Sequence, residues 1–359
     1  NVNSLSVAFL QQYFAGVASN VQGNGKGKVR MFGPMKKIGF EGDVYVDKAQ
    51  ATIDMLKTTY YFNDTVRLTK NAIQFKDIRL YDAERNQGTL NGLINHDGTF
   101  GDMKYSVNIR ARNLLAMNTY AADNEYFFGK AYATGTVNIF GDTKEANIQV
   151  NAVTRPGSKG SIQMGGTSTA ADNNFISFID PRQKQTQDTE PEKPALPQSA
   201  FNVKVDLQFE VTPDAQVELL VDPKAGDVIS GRGNGNLRVQ FDSFSDLKLF
   251  GSYVIDEGFY LFTLQTVIRK EFKIDRGSTI SWSGDPFEAK VDIRALYSLT
   301  APLGDLLDDV GSTTNRGNVP VNCVLQLTDN LMKPNIKFDI DLPSSDEGVK
   351  QKVRSVINT

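Results

Sequence analysis

Few residues in this chain belong to the types that catalysis or metal binding most often uses. The only histidine, His96, lies in the turn Asn95–Gly98, where a solvated side chain is expected, so a Ser–His–Asp triad and a multi-histidine metal site are nearly excluded. The only cysteine, Cys323, excludes an internal disulfide and a multi-cysteine metal site. Because Cys323 lies in the alternating apolar run Val321–Leu327, we predict that it is a small apolar filler.

Carboxylates occur in two groups, Asp305 with Asp308 and Asp309, and Asp339 with Asp341. A glycosidase needs two acids placed across a sugar, a geometry that the sequence does not establish. Calcium binding stays open at either group, but no spaced ligand-loop motif supports it. Asp339 and Asp341 stand at alternate positions of a strand pattern and share its polar face. We therefore favour a solvated face over a catalytic pair.

The glycine-rich stretch Gly231–Gly235 precedes a strand pattern and lacks the Lys-Ser/Thr ending of a phosphate loop. The net charge is −3 and no basic cluster exceeds a few residues, so nucleic acid is not an expected partner. We predict no enzymatic activity, no metal and no cofactor.

The elements that would position any site are strands. Between Gly233 and Tyr297 apolar residues occupy every second position, separated by the turns Asp256–Gly258, Asp275–Gly277 and Gly284–Pro286, so each strand has one apolar face. The predicted inward positions are Leu237, Val239, Leu247, Leu249, Tyr253, Ile255, Tyr260, Phe262, Leu264, Phe272, Ile274, Ile280, Trp282, Val291, Ile293, Ala295, Tyr297, Leu325, Leu327, Ile336, Phe338 and Ile340.

Two architectures could cover this apolar face: a second sheet, as in a sandwich, or a sheet curled into an open groove. A weak internal repeat favours the groove. Its copies are Gly25–Gly33, Ala133–Gly141 and Gly233–Phe241, about 100 residues apart, and each has a glycine that fits a tight bend or a close backbone approach. The predicted fold class is therefore all-β, an elongated curled sheet with a hydrophobic interior and a few short helices.

The predicted division of the chain is a repetitive β-groove at 1–180, a disordered or loop insertion at 181–200, a C-terminal β-groove at 201–343 and a helix starting within 344–359. Short helical segments are predicted at Ser6–Ser19, Asn113–Asn118 and Pro302–Asp308, and Ser344 with Glu347 forms a potential capping box. Because Asn1 begins no signal sequence, we expect a piece of a longer polypeptide.

The C-terminal half resembles the C-terminal domain of the translocation and assembly module protein TamB. The similarity is strongest from about residue 201 and weaker over 1–180. The residues that carry it are Gly233, Gly235, Asn236, Leu237, Gly251, Tyr253, Ile255, Gly258, Tyr260, Phe262, Phe272, Ile274, Gly277, Ser278, Ile280, Trp282, Gly284, Asp285, Pro286, Ala289, Asp292, Ile293, Ala295 and Tyr297.

The resemblance, which has the style of a Bacteroidota member, implies a β-taco of the AsmA-like, bridge-like lipid-transfer group. It implies that the inward positions line a groove conducting phospholipid acyl chains between the inner and outer membranes. It also implies a periplasmic location, an inner-membrane anchor missing from this chain and an outer-membrane partner of the BamA/TamA type. The alternative is an assembly or translocation factor for outer-membrane β-barrel proteins and autotransporters.

Overall fold

The computed structural model describes residues 2–13, 17–34, 39–97, 102–124, 127–164, 201–222, 226–264, 268–302 and 318–357. Most of them lie in β-strands, so the predicted all-β fold class is confirmed. The insertion predicted at 181–200 lies outside the described residues, as does the helix predicted at Pro302–Asp308 apart from Pro302 itself.

The described residues form nineteen strands. Their bounds are β1 Val2–Ser6, β2 Ala18–Phe32, β3 Gly39–Ile53, β4 Thr58–Thr69, β5 Ala72–Asp82, β6 Gln87–Asn95, β7 Lys104–Thr119, β8 Phe127–Asp142, β9 Glu145–Thr154, β10 Lys159–Gln163, β11 Asn202–Val211, β12 Gln216–Asp222, β13 Asp227–Asp242, β14 Ser245–Leu264, β15 Ile268–Ile274, β16 Ser278–Gly284, β17 Lys290–Pro302, β18 Asn318–Asn330 and β19 Asn335–Asp341. The α-helix α1 spans Glu347–Ile357, and 3₁₀ helices span Ala8–Tyr13 and Pro286–Glu288.

The chain divides into two compact units. The first contains the described residues among 1–158, 167–210 and 238–248, and the second those among 159–166, 211–237 and 249–359. The division predicted from the sequence, with limits at 180, 200 and 343, remains a prediction.

In the first unit, β1 to β9 form an antiparallel series in which each strand pairs with the next. Strand β11 then pairs with β9 in parallel. Consecutive strands joined by short turns explain the antiparallel order, because a tight turn returns the chain beside the strand it has just left.

Asp82 lies at the turn where β5 ends and β6 begins. Strand β7 continues past this turn, and Asp82 contacts it there. Its side chain is buried, and its Oδ1 accepts hydrogen bonds from the backbone N–H groups of Glu84 (2.8 Å) and Asn86 (2.9 Å). Its Oδ2 accepts from Asn86 Nδ2 (2.9 Å) and from the Leu115 N–H (2.7 Å). Both carboxylate oxygens are thus satisfied, which a buried charge requires.

Beyond Asp82, β7 reaches the start of β4, although β5 and β6 lie between them in the sheet. The Asn118 N–H donates to the Leu56 carbonyl (2.9 Å), and the Tyr60 hydroxyl donates to the Leu115 carbonyl (3.0 Å). Three strand spacings in a flat sheet would separate β4 and β7 by about 14 Å. The sheet of the first unit therefore curls at this corner.

The helical turn predicted at Asn113–Asn118 is wrong, because these residues belong to β7. The pairing register shifts between Ala111 and Leu114, and Asn113 has a φ of +56° with its N–H donating to Thr134 Oγ1 (3.0 Å). Asparagine tolerates the left-handed region well, and such bulges bend a strand. The short apolar run at this bulge has a spacing that resembles that of a helix, which explains the wrong prediction.

The helix predicted at Ser6–Ser19 is also largely wrong. Among the described residues of this stretch, only Ala8–Tyr13 is helical, as a 3₁₀ helix, while β1 precedes it and β2 begins at Ala18. Val7 packs against the buried cluster Val46, Ala49 and Val66, and the Val21 N–H donates to Gln11 Oε1 (2.9 Å). Strand pairing and these contacts outweigh the helical spacing.

In the second unit, β10 pairs with β12 in parallel and β12 with β13 antiparallel. Strand β14 pairs with β16 through Leu249–Ile255 and with β15 through Gly258–Leu264. Strands β15 and β16 both pair with β17, followed by β18 and β19, all antiparallel. The long strand β14 thus pairs with β16 and then with β15 along its length. The turn predicted at Asp256–Gly258 is wrong, because these residues lie inside β14.

The repeat glycines occupy places where the backbones come close, which is one of the two roles that the sequence left open. A Cβ atom on Gly27, Gly135 or Gly235 would lie 2.2, 2.1 or 2.8 Å from a carbonyl oxygen of the adjacent strand. Any other residue would force the strands apart at these points.

The predicted C-terminal helix is present as α1, but the predicted capping box is wrong. Asp346 caps the helix, with its Oδ1 accepting from the Val349 N–H (2.9 Å), because the helix begins after this residue. Val353 is buried against Val321 and Leu342, so α1 packs on apolar residues of β18 and the chain that follows β19. Within the described residues, no helix is both long enough and apolar enough to cross a membrane.

We predict that Asp82→Ala lowers the free energy of unfolding by about 3 kcal/mol, because it leaves several buried N–H donors without an acceptor. The matched control is Asp43→Ala, which removes an exposed ion pair with Arg67 (3.0 Å) and should cost less than about 1 kcal/mol. Denaturant unfolding of both variants measures the difference. Equal losses would contradict the role assigned to Asp82.

Candidate functional site

In the first unit, apolar side chains line up across six strands. The register of β5, β6, β7, β8, β9 and β11 joins one residue from each: Ile78, Leu90, Ile109, Val137, Val150 and Leu207. The next level on the same face joins Phe75, Gly92, Val107, Ile139, Ile148 and Val205. We call these two levels the apolar ladder; at about 4.8 Å per strand its five steps span about 24 Å.

The apolar ladder is only partly covered. Ile78 is buried, but every other member keeps part of its surface exposed. In a sandwich, a second sheet would bury such inward positions fully. The ladder is thus an apolar surface of the kind that binds an apolar ligand or partner.

The opposite face of the same strands is polar. Register neighbours on that face are Asn91, Asn108, Asn138, Gln149 and Asp206. The Nδ2 of Asn108 donates to Oδ1 of Asn138 (2.7 Å). One face of this sheet is therefore suited to water and the other to hydrocarbon.

A cavity of about 310 Å³ lies among β9, β11, β13 and β14 in the first unit. Its charged side chains include Lys204, whose Nζ is 2.6 Å from Glu145, and Asp206, which accepts two hydrogen bonds from Arg238. These partners lower the pKa values of Glu145 and Asp206 below their usual range. Charged and polar side chains make up most of the lining, so the cavity does not suit an acyl chain.

In the second unit, the register brings the predicted inward positions onto one face. For example, Ile293 aligns with Leu327 and Ile336, and Ala295 aligns with Leu325 and Phe338. The buried ones are Leu237, Leu249, Tyr253, Ile255, Tyr260, Phe272, Ile274, Ile280, Trp282, Val291, Ile293, Ala295, Leu325 and Leu327.

The remaining predicted positions differ in exposure. Phe262, Tyr297 and Ile340 are partly buried, whereas Ile336 and Phe338 are 44% and 57% exposed. Val239 and Leu247 are partly buried and belong to the first unit, and the side chain of Leu264 lies outside the described residues. The face is therefore packed over most of its area and open around β19.

Five rings in the second unit form an aromatic cluster, consisting of Tyr260, Phe262, Phe272, Tyr297 and Phe338. Successive ring centroids lie 5.8 to 6.4 Å apart, and those of Phe262 and Phe338 are 6.1 Å apart. Phe262 is on β14 and Phe338 on β19, four strand steps away, or about 19 Å in a flat sheet. The sheet must curl to bring these rings together.

Two charged residues border the aromatic cluster. Lys270 faces Phe262 across the strand pair, and its Nζ lies 3.1 Å from the Tyr297 hydroxyl and 5.0 Å from the ring centroid. Asp227 accepts a hydrogen bond from the Thr263 N–H (2.7 Å) and another from the Tyr260 hydroxyl (3.4 Å). Burial raises the pKa of Asp227.

The chemistry-bearing residues of the sequence do not come together. His96 is buried, so the expectation of a solvated turn residue is wrong. Its backbone N–H donates to the Asn71 carbonyl (2.9 Å), and burial lowers the pKa of its side chain. Cys323 is partly buried, and burial raises the pKa of its thiol. Asp339 is exposed, while Asp305, Asp308 and Asp309 lie outside the described residues.

Within the described residues, no group of three or more potential metal ligands is present. The stretch Gly231–Gly235 lies inside strand β13 and not before a helix, so it lacks the geometry of a phosphate loop.

The apolar ladder was not among the positions singled out from the sequence. Alternation was visible in the strand patterns of residues 64–82 and 89–100, but strand pairing alone shows that six strands align at one level.

We predict that Phe262→Ala and Phe338→Ala are coupled by about 0.5–1.5 kcal/mol in the free energy of unfolding, because their rings touch in the curled sheet. The control pairs Phe262→Ala with Val324→Ala, on the other face of β18, and should give less than about 0.5 kcal/mol. A double-mutant cycle measures both. Zero coupling between the two phenylalanines would mean that the sheet does not curl.

Comparison with known proteins identifies the family. No curated protein matches the chain. The family model of the TamB C-terminal domain matches residues 76–356, a range that begins in β5 and ends in α1. Proteins with this domain belong to a system of envelope assembly or lipid transport, span the envelope with periplasmic parts, and interact with an outer-membrane partner of the TamA/BamA type. Because the match covers well over half of its length, this chain belongs to the TamB family.

Proposed function

We propose that this chain is the periplasmic part of a TamB-like protein that conducts phospholipids between the inner and outer membranes along its apolar face. The observation that carries the proposal is the apolar ladder, which continues across six strands and remains partly uncovered.

The energetic requirement for such a path is large. Exposing an acyl chain to water costs about 0.8 kcal/mol per CH₂, so two sixteen-carbon chains cost roughly 25 kcal/mol. The ladder offers apolar contact, and strand pairing satisfies the backbone groups beneath it. A lipid on this face keeps its chains from water while its headgroup stays outside.

The second unit has inward positions on β13 to β19, and we infer that these also contact acyl chains. Fully buried residues such as Ile293 and Leu325 support the curl, and the exposed side chains of Ile336 and Phe338 supply the accessible contact surface.

The finer assignments rest on the sequence resemblance. They are an AsmA-like, bridge-like lipid-transfer protein of Bacteroidota type, with an inner-membrane anchor in the full-length protein and a BamA/TamA-type partner in the outer membrane. No catalytic step and no cofactor are part of the proposal.

A second candidate is an assembly or translocation factor for outer-membrane β-barrel proteins and autotransporters. The observation that favours it is strand β19, whose described pairing is with β18 and whose residues Asn335–Asp339 are all exposed. An open strand edge accepts a client strand by β-augmentation.

We predict that Val137→Lys, on the apolar ladder, reduces the phospholipid that co-purifies with the full-length protein by about tenfold, equivalent to about 1.4 kcal/mol. The matched control is Asn138→Lys, one residue away on the polar face, which should retain the lipid. Mass spectrometry of gently purified protein measures the lipid, and circular dichroism verifies that both variants are folded.

Lipid lost from Val137→Lys alone, together with a defective outer-membrane barrier in cells, supports the conduit. Equal lipid in both variants contradicts it. Client β-barrel proteins that crosslink at β19 equally in the wild type and in Val137→Lys would favour the assembly factor.

A further inference from the structure

Lys270 breaks the pattern of the apolar face in the second unit. It stands two residues before Phe272 and four before Ile274, both buried, so it occupies an inward position of β15. The other basic residues of β15, β17 and β19 occupy outward positions: Arg269, Lys273, Lys290, Arg294 and Lys337. A charge at an inward position weakens packing and needs a separate reason.

The described contacts of Lys270 do not neutralise its charge. Its Nζ contacts the hydroxyl and the ring face of Tyr297, and no carboxylate within the described residues lies at ion-pair distance. The nearby inward carboxylate, Asp227, is engaged with Thr263 and Tyr260. The Lys270 ammonium is exposed and can donate to a further acceptor.

The residues around Lys270 indicate what kind of molecule would carry a hydrogen-bond acceptor for its ammonium group. Lys270 faces Phe262, which contacts Phe272 and the exposed ring of Phe338. An ammonium group beside the exposed Phe338 ring and the partly exposed Phe262 and Tyr297 rings complements a molecule with an anionic head and an apolar body.

We propose that Lys270 and the aromatic cluster form a headgroup site for a phospholipid, with the phosphate on the lysine ammonium and the acyl chains on the rings. This headgroup site rests on the proposed lipid function. It adds a position at which the protein selects lipids that carry a phosphate. Tyr297 positions the ammonium, since its hydroxyl and ring hold the Lys270 side chain against β17.

The test compares lipids that differ only in the phosphate-bearing head. Full-length protein is incubated with fluorescent phosphatidylglycerol or with fluorescent diacylglycerol, which has the same chains and no phosphate. The wild type should prefer phosphatidylglycerol, and Lys270→Gln should lose about tenfold in affinity for it while binding diacylglycerol unchanged. Lys270→Arg should keep the preference.

The matched control is Arg269→Gln on the outward face, which should leave both affinities unchanged. Inorganic phosphate at millimolar concentration should not displace phosphatidylglycerol, because the rings contribute to binding. An unchanged preference in Lys270→Gln, or displacement by phosphate alone, overturns the headgroup site. Failure of the wild type to bind either lipid overturns the proposed function itself.

Discussion

The structure depends on one constraint: apolar residues at every second position of each strand must stay in register from one strand to the next. Side chains alternate between faces, and a slip of one residue would move a strand's apolar set to the water face. From Ile78 on β5 to Leu207 on β11 the register holds over six strands. Asn108 and Asn138 are aligned on the opposite face of the sheet. A continuous apolar surface follows from this agreement.

The two units use that constraint differently. In the first unit the surface remains partly uncovered, and the sheet bends at a corner held by Asp82. In the second unit the sheet curls until β14 and β19 meet through Phe262 and Phe338, and most inward side chains are buried. A membrane-lipid role needs both properties, since an uncovered face binds hydrocarbon and a packed face keeps the curl.

Much of the fold could be predicted from the sequence because period-two alternation is a strong local signal. It predicted one apolar face on the strands of the second unit, where Ile293 aligns with Leu327 and Ile336, and it marked glycines that lie at close strand approaches. What it could not show depends on contacts distant in sequence. The bulge at Asn113 resembled a helical turn, and the pairing of β1 with β2 overrode helical spacing. His96 is buried, and its backbone N–H bonds to Asn71, which is distant in sequence. The alignment of six strands and the contact of Lys270 with Tyr297 likewise required the structure.

The central claim is that the apolar ladder contacts lipid chains. The most direct measurement places a photo-crosslinking amino acid at Ile109 or at Asn108 in the full-length protein, irradiates living cells and identifies adducts by mass spectrometry. We predict phospholipid adducts at position 109 and few at position 108, since the side chains of these two neighbours point to opposite faces of the sheet. Equal adducts at both positions, or protein adducts alone at position 109, would contradict it.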